Sequence, residues 1–180
     1  MISAAILARV PGADLQVSPL PGGRNNRLYR IDSTAGSFAL RVRATPADPP
    51  GVDRIREALV QAAAAAAGLA PRLFACATQD GWLLMDFVDG ESWAPAHFAE
   101  AGKLRRLGER LAQLHGLPCA AGAVFDAVAI ARRQIARIRK ADPNGRDLTP
   151  MLTALEELEL QLDALRRPVV MNHGDLDAAN

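Results

Sequence analysis

The sequence predicts an α+β fold in which an antiparallel sheet with one helix comes first and a mainly helical part follows. Three observations predict it. Five short strand-like segments fall between residues 15 and 88, separated by turns that carry Gly or Pro. One alanine-rich helical stretch, residues 53–67, interrupts them. Beyond Gly90 the leucines and isoleucines recur at helical spacing rather than in alternation. The polar segment 89–95, with Gly90 and Pro95, sets the division into residues 1–89 and 90–180.

The elements follow in order. Residues 15–20 alternate weakly and read as a strand, and Pro21-Gly22-Gly23 is a turn. Residues 27–32 place Leu28 and Arg30 on one face and Tyr29 and Ile31 on the other. Ala35-Gly36 turns the chain into a strand over 37–43, with Phe38, Leu40 and Val42 on one face and Arg41 on the other. Short links of this kind predict an antiparallel meander. Three prolines in 44–51 make that segment a loop. The helix over 53–67 carries Ile55, Leu59, Val60 and six consecutive alanines, then stops at Gly68 before Pro71. Residues 71–77 and 82–88 read as two further strands around the turn Gln79-Asp80-Gly81.

In the second part, Leu104, Leu107, Leu111 and Leu114 predict a helix over 97–114, ended by Gly116 and Pro118. Asp126 caps a second helix with Val128, Ile135 and Ile138 on one side. A third begins with Thr149 as N-cap and Pro150 at its first position, and its core stripe is Leu152, Leu155, Leu158, Leu162 and Leu165. The short apolar run Val169-Val170-Met171 then leads into Asn172-His173-Gly174-Asp175 and on to Asn180.

Composition narrows the classes. Hydrophobic residues make up 49% of the 180, ample for a core, whereas aromatics are only 4%. A net charge of +1 argues against nucleic acid or an acidic membrane surface as partner. Arg132, Arg133, Arg137, Arg139 and Lys140 form a basic helix face, which reads as a solvated face near a helix C-terminus. Cys76 and Cys119 make no C-x-x-C pair and point to a reducing compartment. No apolar run is as long as a membrane span, and the N-terminus lacks the basic start of a signal peptide. Cytoplasmic localisation is the expectation, and the sequence sets no oligomeric state.

Several residues carry two readings. Gly22-Gly23-Arg24-Asn25-Asn26 is either an ordinary hairpin turn or a loop whose bare N–H groups approach phosphates. Glu57 either complements the dipole of its helix or pairs with the strand cation Arg41. The 86–88 stretch is a plain strand exit or a hinge whose Asp86 and Val88 backbone groups face a base. His115 reads as a core or boundary residue. His173, Asp175 and Asn180 form H-x-D-x-x-x-x-N, a spacing that holds a carboxylate beside a hydroxyl while an amide oxygen reaches a metal.

Taken together, these segments resemble the aminoglycoside phosphotransferase and choline/ethanolamine kinase superfamily, which has a protein-kinase-like fold. The resemblance covers nearly all of the chain. It rests on Gly22 through Ile31, Phe38-Ala39-Leu40-Arg41-Val42, Glu57, Gly68-Leu69-Ala70-Pro71, Met85 through Gly90, Leu114-His115, and His173-Gly174-Asp175 through Asn180. It implies an N-lobe at 1–89 and a partial, helical C-lobe at 90–180. It also implies ATP and Mg²⁺ as cofactors and a small-molecule hydroxyl as acceptor: choline-, ethanolamine- or thiamine-like, or an aminoglycoside. Asp175 would be the catalytic base, His173 a brace for its loop, and Asn180 a Mg²⁺ ligand. Gly22, Gly23, Asn25 and Asn26 would cover the ATP phosphates. Arg41 would stand where the family places a phosphate-orienting Lys or Arg, paired with Glu57. Asp86 and Val88 would hold adenine through their backbones.

The family's second Mg²⁺-binding Asp and its later helices have no counterpart up to Asn180. The 180 residues alone are therefore expected to transfer little or no phosphate, and their helices to expose apolar faces. Two other readings stand beside this one: a non-catalytic remnant that binds a nucleotide or a protein, and a hydrolase metal cluster of His173, Asp175 and Asp177. The second lacks another nearby His.

Overall fold

A computed structural model of the chain describes residues 2–21, 25–45, 52–119, 126–165 and 169–172. It is an α+β structure of two compact units. The first contains a short helix α1 (Ala4–Leu7), strands β1 (Gln16–Leu20), β2 (Asn26–Ser33) and β3 (Gly36–Arg43), helix α2 (Arg54–Ala66), strands β4 (Leu73–Ala77) and β5 (Trp82–Asp86), a 3-10 turn (Pro95–Ala99) and helix α3 (Ala101–His115). Residues 170–172 also belong to it. The second contains α4 (Ala127–Ala141) and α5 (Thr149–Ala164).

The five strands are antiparallel throughout, in the order β1-β2-β3-β5-β4. The meander expected of the first three is present, and β5 rather than β4 completes β3. Register follows from alternation: Ile31 opposes Phe38, and Leu40 lies between Tyr29 and Leu84. Ile31, Leu40 and Leu84 are completely buried, and Phe38 meets Phe74 edge to face at 4.9 Å. Ile6 and Val10 close this core from the N-terminal segment. There the Ser3 hydroxyl accepts the Ile6 N–H and starts α1. Four residues hold barely one helical turn, too little periodicity to be read from sequence.

Two positive-φ glycines shape the unit. Gly68, at φ +69°, ends α2 in the left-handed conformation expected after a helix. Gly81, at φ +73°, lets the β4–β5 turn press on β3, where an added Cβ would lie 2.8 Å from that of Arg43. At the rim of the sheet, Arg30 Nε donates to both Asp32 carboxylate oxygens at 2.9 Å, and the Ser37 hydroxyl donates to the same carboxylate. These bonds, Ser37 first and Arg30 next, hold Asp32 below the ordinary aspartate range.

Three boundaries differ from the sequence reading. β5 ends at Asp86 rather than at 88, because the Phe87 N–H makes the last bond, to Ser37 O at 3.1 Å. The helix predicted over 97–114 is two pieces. Pro95 starts a 3-10 turn, the Ala94 N–H donates to His97 Nδ1 at 3.0 Å, and Glu100 is extended at φ −87°, ψ 108° before α3 begins. His115, expected near the core, is exposed. The N-cap of α5 is Leu148, not Thr149: the Asp147 carboxylate accepts the Thr149 N–H at 2.9 Å and Leu148 is buried.

Within the second unit, Asp126 caps α4 as expected, accepting the Ala129 N–H. Val128, Ile135 and Leu148 are buried. Arg132 reaches across to Glu159 at 2.7 Å, so part of the basic face is paired with acids of α5. The leucine stripe of α5 is not a core here: Leu158, Leu162 and Leu165 are all exposed, as are Leu104 of α3 and Ile138 of α4.

Leu84→Ala is expected to destabilise the chain by about 2–5 kcal/mol, since the cavity sits among packed neighbours, while Leu160→Ala stays within about 0.5 kcal/mol in a urea titration. Leu160 is 71% exposed. Asp32 gives a pH signature. A lowered folded pKa stabilises the fold above the ordinary aspartate value, and that contribution disappears as pH falls through the folded value. The stability gap between wild type and Asp32→Asn is expected to be constant near neutrality and to close on acidification.

Candidate active site

The sheet face opposite the core carries the candidate site. Because Phe38 and Leu40 point inward, Arg41 points out on the other side. It lies across from Leu83, which is buried on that same face. Helix α2 is started by Asp53, whose carboxylate accepts the N–H groups of Ile55 and Arg56. This start places Glu57 in the first turn of α2.

Glu57 and Arg41 form an ion pair, Oε2 to Nη2 at 2.6 Å. The pairing expected from sequence is thus present. Its surroundings were not expected. Arg54, one helical turn before Glu57, donates from Nη1 to the same Glu57 oxygen at 3.0 Å. Its Nη2 donates to Asn26 Oδ1 at 3.2 Å, at the start of β2. The side chains of Arg54, Arg41 and Glu57 are 9%, 20% and 32% exposed, so the cluster is screened less than a surface pair. Both guanidinium groups thus converge on Glu57 Oε2, Arg41 at 2.6 Å and Arg54 at 3.0 Å. The i, i+3 spacing of Arg54 and Glu57 was visible in sequence, but the reach to Asn26 spans 28 residues and was not.

Asn25 is exposed, and its carbonyl accepts the Ala44 N–H at 3.0 Å, closing the β2–β3 ladder beyond its last register pair. At the other end of the face, the Asp86 N–H donates to Arg72 O at 2.9 Å, which commits its amide to the edge strand. Val88 is 65% exposed, and its backbone N–H and C=O have no hydrogen-bond partner among the described residues. Between them, the Arg30 guanidinium lies 4.4 Å from the centre of the Phe87 ring. The Arg30-Asp32-Ser37 bonds therefore also brace this exit.

Gly22, Gly23, His173, Asp175 and Asn180 lie outside the described residues, as does Asp177. Among the described residues no group of three or more His, Cys, Asp or Glu side chains is placed to hold a metal ion, and no helix is long and apolar enough to cross a membrane. What the described face offers is a half-buried cation, paired with Glu57, at one end and the exposed backbone of Val88 at the other. That arrangement suits a ligand with an anionic tail and a flat polar head.

Comparison with known proteins gives a consistent answer. The model of the phosphotransferase enzyme family matches residues 16–180. No curated protein matches the chain. Among solved structures, an ethanolamine kinase from Plasmodium vivax superposes with a TM-score of 0.77 at 15% identity, over 98% of this chain and 55% of its own. A choline/ethanolamine kinase family protein from Mesorhizobium loti gives 0.63 at 23% identity, over 98% and 58%. A choline kinase from Cryptosporidium parvum gives 0.55 at 14% identity, over 86% and 46%. At these identities the structural likeness establishes a protein-kinase-like fold, and the chain spans about half the length of these structures. The family match covers most of the sequence, and the chain belongs to the phosphotransferase enzyme family.

Proposed function

We propose that the protein is an ATP-dependent phosphotransferase acting on a hydroxyl of a small molecule. The observation that carries this reading is the Arg41–Glu57 pair on the sheet face opposite the core. A cation fixed on a strand by a helix carboxylate is what a kinase fold uses to hold nucleotide phosphates. Family membership supports the same reading.

In this reading residues 1–89 form the nucleotide lobe and 90–180 begin a helical acceptor lobe. Arg41 orients the ATP phosphates, and Gly22, Gly23, Asn25 and Asn26 cover them. The Asp86 carbonyl and the Val88 backbone hold adenine. Asp175 accepts the proton of the acceptor hydroxyl as its oxygen attacks the γ-phosphorus, the bond from that phosphorus to the β–γ bridging oxygen breaks and ADP leaves, and His173 keeps that carboxylate's loop in place. Mg²⁺, with Asn180 among its ligands, would neutralise charge on the transferring phosphate. The acceptor is an amino alcohol of the choline or ethanolamine kind, a thiamine-like alcohol or an aminoglycoside. Arg41 and the Gly-Gly-x-Asn-Asn loop favour the first two. The setting is the cytoplasm.

The runner-up is a kinase-like chain that binds nucleotide or a protein without turnover. Magnesium separates the two, because a binding remnant takes ATP equally with and without the ion, whereas the kinase reading requires Mg²⁺.

The test is MgATP-dependent phosphorylation of a panel of these alcohols. A protein that includes the lobe sequences found in full-length relatives is expected to turn over, and Asp175→Ala to lower kcat by at least about 10²-fold while ATP binding persists. The 180 residues alone are expected to show little transfer. Unchanged kcat in Asp175→Ala would refute the assigned base.

A further inference from the structure

We propose that a hollow of about 360 Å³ on the core side of the sheet binds a small zwitterion with an apolar side chain, of the free α-amino acid kind. The hollow is separate from the nucleotide face. Val42 and Trp82 line it, and alternation along β3 puts Val42 on the side away from Arg41. The inference is therefore independent of the nucleotide reading.

Two turns frame the hollow. On one side Ile6 and Val10 are buried and anchor the segment after α1, where the Arg9 N–H donates to Ile6 O at 3.0 Å. On the other, the β4–β5 turn is closed by the Gly81 N–H on Ala77 O at 2.9 Å and tied to β3 by the Arg43 N–H on Gly81 O at 2.7 Å. The first turn brings Arg9 to the hollow and the second brings Asp80. Between them stands Trp82, in register with Val42 and Ala77.

Three polar groups meet this space without partners. Arg9 and Asp80 line the same hollow, yet their side chains make no ion pair or hydrogen bond with each other or with any other described residue. Trp82 is only 8% exposed, and its indole N–H has no acceptor among the described residues, although a buried Trp ordinarily finds one. That N–H is not among the polar atoms sealed from solvent, so an incoming acceptor can reach it. A cation and a carboxylate that share a cavity without neutralising each other suit an occupant that carries both charges. Its carboxylate would meet Arg9 and the Trp82 N–H, its ammonium Asp80, and its apolar body Ile6, Val42 and Ala75. A simple anion would face Asp80 as a like charge, and a simple cation would face Arg9.

The test is an NMR titration of the ¹⁵N-labelled chain with L-phenylalanine, with 3-phenylpropanoate, which lacks the ammonium, and with 2-phenylethylamine, which lacks the carboxylate. The chain has two tryptophans, Trp82 and Trp93, so the indole N–H region holds one reporter and one control. L-Phenylalanine is expected to move the Trp82 signal saturably, to leave that of Trp93 in place, and to bind about tenfold more tightly than either analogue, the scale of one charge-assisted hydrogen bond. Arg9→Gln is expected to reduce L-phenylalanine to the affinity of the amine, and Asp80→Asn to that of the acid. Both side chains are exposed, so both variants are expected to fold. A merely structural role would weaken all three ligands alike. No saturable movement of Trp82 up to about 10 mM L-phenylalanine, equal affinities for the three ligands, movement at Trp93 alone, or wild-type preference retained in either variant would each overturn the proposal.

Discussion

The alternation of side chains along β3 is the constraint on which the rest depends. A strand that sends Phe38 and Leu40 into the core sends Arg41 to the opposite face, and no shift of register changes one without the other. Leu40 is completely buried between Tyr29 and Leu84, so the register is held by packing on both sides. The cation is therefore aimed by the core on the other face of its strand. Helix α2 then needs only to begin in the right place, and the Asp53 cap decides that. Glu57 follows in the first turn, where an acidic side chain also complements the helix dipole. The two expectations for Glu57, dipole partner and ion-pair partner, are compatible, and the geometry satisfies both.

Much of this was legible in the sequence because it rests on short-range periodicity. The period-2 pattern of 37–43, the alanine-rich helix closed by Gly68, and the Asp126 cap each state their structure locally. The Arg41–Glu57 pair was readable as soon as a basic strand residue and a helix acid stood in that order. What was not legible depends on contacts remote in sequence or on competition between local bonds. Arg54 was passed over because Asn26, which its side chain reaches, lies on β2, 28 residues away. The break at Glu100 arises from Pro95 and the His97 ring capturing the chain into a 3-10 turn, which a leucine stripe does not reveal. Thr149 looked like an N-cap because Pro150 follows it, yet Asp147 reaches its N–H first.

The helical elements illustrate a different limit. Periodicity identifies an apolar face, but it does not say what covers it. α4 covers part of α5, and salt bridges from Arg132 to Glu156 and Glu159 fix that pairing. Leu158, Leu162 and Leu165 remain exposed. The Arg41 face, in contrast, draws Arg41, Arg54, Glu57 and Asn26 together inside one unit.

The most direct measurement is an amide NMR titration of the 180-residue chain with MgATP. The expected result is saturable shifts at Asn26, Arg41, Glu57 and Val88, with Ile31, Leu40 and Leu84 quiet beneath them. A hollow of about 360 Å³ lies by the core side of the same sheet, lined by Ser3, Arg9, Asp80 and Trp82 among others. Shifts confined to those residues, or none at all at saturating nucleotide, would contradict the placement of the nucleotide on the Arg41 face.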